Sequence, residues 1–312
     1  MHVRSWLAHL FDFATPAQLR RAGVLGMNRR NADLILPNNE RRFYPRVDDK
    51  TRTKEICAAH RIPTPTVYAV YERQGDLKHF TGLAADHPDF VIKPAKGSGG
   101  RGIVVVAGHD GRHFTKPDGE RLPLGDVLYH MSTILSGLYS LGGRPDKVIV
   151  EQRIICHPAF EPVSFGGTPD VRVIVHRNVP VLAMVRLPTR ASRGRANLHQ
   201  GAIAAGVNLE TGITSGGVIH NEAVVTHPDT RHSVEGFQVP YWEEIRAAAV
   251  KLAAGTGLGY LGIDFAIDAR LGPMVLEANA RPGLAIQIAN RTGLLQVLPQ
   301  GPHPNHNPNP NS

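Results

Sequence analysis

A chain of 312 residues, 42% hydrophobic and 20% charged, has enough apolar material for one large domain or two ordinary ones and is too apolar for a disordered chain. Lys and Arg outnumber Asp and Glu, 35 to 27, and the net charge of +8 suits an anionic partner: nucleotide, acidic peptide, nucleic acid or membrane surface. The two cysteines, Cys57 and Cys156, exclude a disulfide scaffold and a paired-cysteine metal site, and they point to a reduced, cytoplasmic protein with no apolar run of membrane-span length.

Trp6, Leu7, Leu10 and Phe11 fall at helical spacing and read as a helix docked on the protein's own body, with a membrane-surface helix as the competing reading. Residues 33–36 read as a short strand before the Pro37-Asn38-Asn39 turn. Residues 49–61 read as a helix capped by Asp48 or Asp49, with Ile56, Ala59 and Ile62 on one apolar face, stopped by Pro63 and Pro65. Strand-like runs follow at 66–71 and 90–93, then a glycine-rich loop and a strand at 103–107. The spacing predicts a helix over 124–141, a buried strand over 148–152, and a strand pair, 171–175 and 181–187, turned at Arg177-Asn178. Residues 221–239, near His220 and containing His227 and His232, read as a variable surface loop. A helix over 241–254 presents Ile245, Ala248, Ala249 and Leu252. Strands at 262–267 and 274–277 and a helix from about Leu284 complete the body. The Pro- and Asn-rich residues 302–312 read as a disordered tail whose His303 and His306 are solvated rather than metal-bound. Irregular alternation of helices and hairpins indicates an α+β architecture.

Two stretches carry chemistry. In FVIKPAKGSGGRGI (90–103) a strand delivers Lys93 to a loop containing Gly97, Ser98, Gly99, Gly100 and Gly102. Glycines let backbone N–H groups approach a phosphate chain, and a lysine at the strand end adds fixed positive charge. The stretch is neither a P-loop nor a dinucleotide fingerprint. A mobile hairpin turn is the competing reading.

At the other end, LGIDFAI (261–267) and MVLEANARPGL (274–284) embed Asp264 and Glu277 in strands that otherwise read as core. Buried carboxylates need a cation. If these strands are neighbours, Asp264, Glu277 and Asn279 face one side, an oxygen set suited to Mg²⁺ held with phosphates. Salt-bridged structural acids are the alternative. Arg172 and Arg186 alternate with apolar residues along their strands and so point away from a core, or into solvent. Cys57 reads as core, and Cys156-His157 as a loop pair rather than a nucleophile and its base.

Taken together, the lysine–glycine loop and the acid–acid–asparagine set resemble the ATP-grasp superfamily from about residue 48 to 290, and most closely its RimK-like branch, the α-L-glutamate ligase-related proteins. The matching motifs are Asp49-Lys50 opening a helix that ends in Ile62-Pro63-Thr64-Pro65, the Lys93 loop, Val150-Glu151-Gln152, Asp170-Val171-Arg172, Asn197-Leu198-His199-Gln200-Gly201, Gly262-Ile263-Asp264, and Leu276 to Gly283. The resemblance implies an ATP-grasp fold: two α+β subdomains gripping ATP between antiparallel sheets. The lid would be about 65–152 and the body about 153–299, after a short N-terminal segment, 1–48, that is truncated relative to the usual pre-ATP-grasp domain. Lys50 and Lys93 would reach the phosphates, Glu151, Gln152, Arg153 and Ile154 would form the adenine-holding hinge, and Asp170 would lie near the ribose. Arg172, Arg186 and Arg195 would approach the γ-phosphate or acyl phosphate, with Asn197 orienting it. Asp264, Glu277 and Asn279 would hold Mg²⁺, with Mn²⁺ as a substitute.

Two departures from the branch stand out. Residues 156–168 read as an insertion between hinge and Asp170, and Arg281 stands where glutamate ligases tend to have a small residue, offering a bidentate carboxylate contact. The implied reaction is carboxylate–amine ligation through an acyl phosphate with release of ADP, on a small-molecule or peptide substrate, with glutamate the first candidate. A phosphotransferase with a hydroxyl acceptor and a non-catalytic nucleotide-binding regulator are the alternatives. Few aromatics, 6%, and none among the arginines from 186 to 195, argue against nucleic acid. The oligomeric state is open.

Overall fold

The computed structural model describes residues 14–97 and 99–298. The expectations for Trp6, Leu7, Leu10, Phe11, Ser98 and the 302–312 tail lie outside the described residues. The rest forms two antiparallel sheets, each with its own core, and a small hairpin sheet beside the first.

The first sheet runs in the order β1 (Val67–Tyr71), β7 (Val148–Glu151), β2 (Phe90–Pro94), β3 (Val104–Val106). The hairpin sheet is β4 (Gly108–His109), β5 (His113–Thr115) and β6 (Arg121–Pro123). Phe80, Phe90 and Phe114 meet with centroids 5.6 to 6.1 Å apart beneath these sheets, and Val127, Met131 and Ile134 of helix α2 (Leu124–Leu135) join the same core.

The second sheet has eight strands. Its path is β12 (Glu222–Val224), β11 (Ile213–Ile219), β10 (Ile203–Val207), β9 (Val179–Leu187), β8 (Asp170–His176), β14 (Tyr260–Asp268), β15 (Gly272–Asn279), and β13 (Glu235–Gln238) pairs with β11. Every residue of β14 is buried, as a central strand demands. The β8–β9 turn is Arg177-Asn178, both at positive φ (50° and 64°), the backbone shape that a two-residue hairpin requires. The long helix α3 (Trp242–Thr256) packs Trp242, Ile245, Ala249 and Leu252 into the larger core, against β8, β9 and β14.

Several expectations are corrected. Residues 33–36 are helical, within the wide turn Arg30–Ile35 and its continuation Leu36–Asn38. Arg29 and Asp33 pair at 3.0 Å one turn apart, and Leu34 and Ile35 are buried while Leu36 faces out, a pattern a four-residue apolar run cannot distinguish from a strand. Helix α1 (Lys50–Ala59) is capped by Asp49, whose carboxylate accepts from Thr51 N at 3.0 Å, but it buries Thr53 and Cys57 and leaves Ala59 exposed. Helix α2 stops at Leu135 rather than 141. Gly137 takes φ 87° there, and a Cβ on it would meet Arg144 O at 2.2 Å. The stretch 221–239 is a loop only between its two short strands, β12 and β13, and although most of it is exposed it is anchored by buried side chains. His227 is fully buried, its Nε2 3.0 Å from Pro188 O while Nδ1 accepts from Asp229 N and Thr230 N.

The segment before α1 is clamped to the large sheet. Asn39 donates to Tyr260 O and Ala280 O and accepts from Tyr260 N, and Gln287 bonds both backbone groups of Leu25.

His176, at the end of β8, is buried, and neither ring nitrogen has a hydrogen-bond partner among the described residues. Burial, aided by Arg177, pulls its pKa down. The unfolded chain therefore takes up the proton first as pH falls, so stability drops below about 6.5. His176→Leu is expected to stabilise the protein by about 1 kcal/mol or more at pH 7 and to flatten its stability between pH 7 and 5, read by denaturant unfolding.

Candidate active site

Register builds one face of the large sheet. Asp264 on β14 pairs with Glu277 on β15 on one side and with Arg172 on β8 on the other, while Asp170 on β8 pairs with Arg186 on β9. Side chains alternate along strands, so Asp170, Arg172, Arg186, Asp264, Glu277 and Asn279 share this face. A β-bulge follows directly, since Asp264 faces Glu277 but Phe265 faces Val275. Gly262, opposite both Ile174 and Asn279, leaves room for the chain after β15 to cross the face: a Cβ there would come 2.7 Å from Pro282 Cβ.

The charges on this face are paired. Arg172 donates from Nε and Nη2 to Asp264 Oδ1 and Oδ2, both at 2.6 Å, and Arg186 Nη2 reaches the same Oδ2 at 3.0 Å. Arg186 also grips Asp170 with two bonds, Nε to Oδ1 at 2.5 Å and Nη2 to Oδ2. Burial works against the charged form of Asp264, yet the two guanidiniums outweigh it and hold the carboxyl down at about 2. Asp170 shares only Arg186; burial pushes it up to about 6, opposed by Arg186 and reinforced by the Asp264 charge.

The smaller sheet contributes a second paired group. Lys93, buried on β2, lies 2.5 Å from Glu151 Oε1 on β7, and Lys54 of α1 lies 3.0 Å from Glu151 Oε2. Between the two sheets stands Lys50, first residue of α1. Its Nζ donates to Gly97 O in the glycine loop at 2.6 Å and sits 3.5 Å from Glu277 Oε2, whose other oxygen accepts from Asn279 Nδ2 at 3.2 Å. Gly99, Gly100 and Gly102 hold φ of 66° to 76°, which side-chain-bearing residues rarely adopt.

The residues expected to form the hinge connect to both sheets. Gln152 N donates to Thr66 O at 2.8 Å, Arg153 faces Asp89 at 3.5 Å, and the residue after Ile154 donates its N–H to Asp268 at 2.9 Å. Arg195, Asn197 and Arg281 are not bonded to the Asp264 network. Exposed Arg195 donates to Gln200 at 3.3 Å, Asn197 caps its own turn by accepting from His199 N, and exposed Arg281 lies over the Tyr44 ring at 4.7 Å. The 156–168 segment contains the 3-10 turn Pro158–Val163, and its Gly167 crosses Gly194 so closely that a Cβ would meet Gly194 O at 1.8 Å. This crossing pins the loop bearing Arg195 just ahead of Asp170.

Sequence reasoning missed Lys54 and Asp146. Asp146 accepts from Lys96 N with both oxygens, at 3.1 and 3.0 Å, and from Lys147 N at 2.7 Å, fixing the entry to the glycine loop. Its one sequence signal is an acid directly before a buried strand.

No group of three or more His, Cys, Asp or Glu side chains is arranged for a metal among the described residues. The donor chemistry on the Asp264 face nonetheless fits a hard cation: two carboxylates and an amide, all oxygen donors. Asp264, paired in register with Glu277, receives a bond at Oδ1 from Arg172 alone, so a cation at that oxygen competes with a single side chain.

The family model described as sugar-transfer associated ATP-grasp matches residues 29–300. Among proteins of curated function, none matches the chain by sequence. Among solved structures the chain is similar to the ATP-grasp ligase PsnB complexed with a minimal precursor, at 15% identity and TM-score 0.45, covering 80% of this chain and 57% of that one. It is similar to D-alanine–D-alanine ligase from Bacillus anthracis complexed with ATP at 15% identity and TM-score 0.45, covering 80% and 59%. It is also similar to the D-cycloserine synthetase DcsG at 16% identity and TM-score 0.43, covering 82% and 69%. The chain thus spans under two thirds of the length of the first two. Among the described residues no helix is long and apolar enough to cross a membrane. With two antiparallel sheets meeting at Lys50 and a family model matched over most of its length, the chain belongs to the sugar-transfer associated ATP-grasp family.

Proposed function

We propose that this chain is an ATP-dependent, ADP-forming ligase that joins a carboxylate to an amine through an acyl phosphate. The observation that carries the reading is Lys50, which bonds the glycine loop of one sheet and lies beside Glu277 of the other. A polyphosphate entering there meets Lys50, Lys93, Arg172 and Arg186 from two sides. The lid would be about 65–152 and the body about 153–299, with 151–154 as the adenine-holding hinge and Asp170 toward the ribose.

In this reading the chain supplies no nucleophile. Its lysines and arginines stabilise charge that develops on the transferring phosphoryl group, and the two sheets hold donor and acceptor in line while excluding water from the acyl phosphate. Asp264, Glu277 and Asn279 would hold Mg²⁺, which when bound neutralises phosphate charge. Arg195 and Asn197, on the loop pinned by Gly167, would close over the phosphates.

Nucleotide chromatography and hydroxylamine trapping test the reading. Incubation with MgATP and candidate carboxylates, glutamate first, is expected to yield ADP and a hydroxamate. AMP as direct product overturns it, and ADP without amide or hydroxamate favours transfer to a hydroxyl acceptor. Arg281 is exposed and stacked on Tyr44, so its planar fork is free to read a substrate carboxylate. Arg281→Lys is expected to raise KM for the carboxylate substrate by about tenfold with little change in melting temperature, because the bidentate contact is lost and no buried partner is stranded.

A further inference from the structure

The two carboxylates proposed as metal ligands each carry a resident cation. Asp264 is gripped through both oxygens by Arg172, and Glu277 has Lys50 at 3.5 Å. Together Arg172 and Lys50 bring a charge of +2, the charge of a divalent ion. Arg172 is the stronger hold. Its two bonds to Asp264 are shorter than the single bond from Arg186, and its side chain is only 12% exposed. A guanidinium displaced from Asp264 inside this face would need another acceptor, because an unpaired buried charge is costly. Asp170 is a poor substitute, since Arg186 already grips both its oxygens and a second guanidinium there would face that like charge.

We infer that Arg172 is the built-in counter-ion of Asp264, standing where a divalent cation would bind, and that metal and polyphosphate bind by exchange. The metal takes the Asp264 carboxylate, and the phosphate oxygens take the released guanidinium, which matches phosphate geometry as well as it matches carboxylate. Neither half of the exchange is favourable alone. A bare divalent ion strands Arg172, and a bare polyphosphate that draws Arg172 away leaves the buried Asp264 with the single bond from Arg186. Each ligand therefore strengthens the other, and by linkage the strengthening is reciprocal. The inference rests on the reading of this face as a metal–nucleotide site.

The test uses Mg²⁺ alone, with no nucleotide, followed by calorimetry and by thermal shift on the full chain. Wild type is expected to bind bare Mg²⁺ weakly. Arg172→Met is expected to bind it at least about tenfold more tightly, equivalent to about 1.4 kcal/mol. Arg172→Lys keeps the charge but cannot hold both oxygens, and is expected to gain roughly threefold. Adding Glu277→Gln to the Arg172→Met protein is expected to erase the gain, which locates it at this face. Equal affinity in wild type, Arg172→Met and Arg172→Lys overturns the inference, as does a gain that survives Glu277→Gln. Should Arg172→Met fail to fold, Arg172→Lys decides by itself. Because nucleotide and turnover are absent from these measurements, a failed ligase reading shows up separately, as missing ADP in the chromatography.

Discussion

Replacing Lys93 by methionine is expected to lower kcat/KM for MgATP by roughly 10²–10³, the loss seen when one preorganised charge at a reacting centre is removed. The same substitution disturbs folding, because Lys93 and Lys54 share the buried Glu151 carboxylate. Removing one partner of a buried ion pair costs about 3–5 kcal/mol, and less here because Lys54 remains. Burial already pulls Lys54 down in pKa against the opposing pull of Glu151, so that single lysine is a poorer counter-ion than the pair. The two effects separate in the double variant Lys93→Met/Glu151→Gln. Neutralising the acid is expected to return most of the lost melting temperature, while turnover stays low. Recovery of activity along with stability would make Lys93 a structural partner of Glu151 and nothing more. Unchanged nucleotide affinity in Lys93→Met, measured calorimetrically with an ATP analogue, would do the same.

The placement of Lys93 at the end of a strand before the glycine loop was legible in the sequence because that is a local pattern, and locality is what a sequence displays. The Asp264–Glu277 pairing was legible for a related reason. Two apolar strands separated by a short turn must lie side by side, and the acids stand out against their neighbours. What answered those charges was not legible. Arg172 lies 92 residues from Asp264 and Lys93 lies 58 residues from Glu151, so each partner depends on sheet order, which periodicity does not encode. The arginines do leave the apolar core, as alternation indicated, but they end on carboxylates rather than in solvent. Asp146 was invisible because its partners are backbone amides, which carry no residue identity. His227 misled for the opposite reason: a histidine in a polar stretch looks solvated, yet its three backbone contacts make it the buried centre of the 188–230 turns. Residues 33–36 misled because a run of four apolar-rich residues satisfies either period.

The largest loss of stability is expected from Asp264→Asn. The amide can accept from only one arm of Arg172 and presents N–H groups to the other, so a buried guanidinium is left without its counter-ion. A loss of about 3–5 kcal/mol is expected, and Arg172→Met added to it should return part of that loss, since the stranded charge goes with the arginine. The pH dependence identifies the cause. Asp264 is held at about 2, below the ordinary value of about 4, so its contribution is complete above pH 4 and is lost as pH falls from about 4 to 2. Asp170 runs the other way. Pushed up to about 6 chiefly by burial, it keeps its proton in the folded state after the unfolded chain has released it, so stability declines as pH rises from about 4 to 6. Unfolding free energies measured by denaturant in a His176→Leu background, where the opposing slope of the buried histidine is absent, should therefore rise toward pH 4 and ease beyond it. Asp264→Asn should make the acidic rise shallower, leaving what Asp110 contributes through its backbone hydrogen bonds, and should also soften the decline, because the Asp264 charge no longer helps to push Asp170 up. Asp170→Asn should abolish the decline and leave the rise. An acidic rise as steep with Asp264→Asn as without it would mean that Arg172 and Arg186 do not hold Asp264 in its charged form, and the ion network on this face would have to be redrawn.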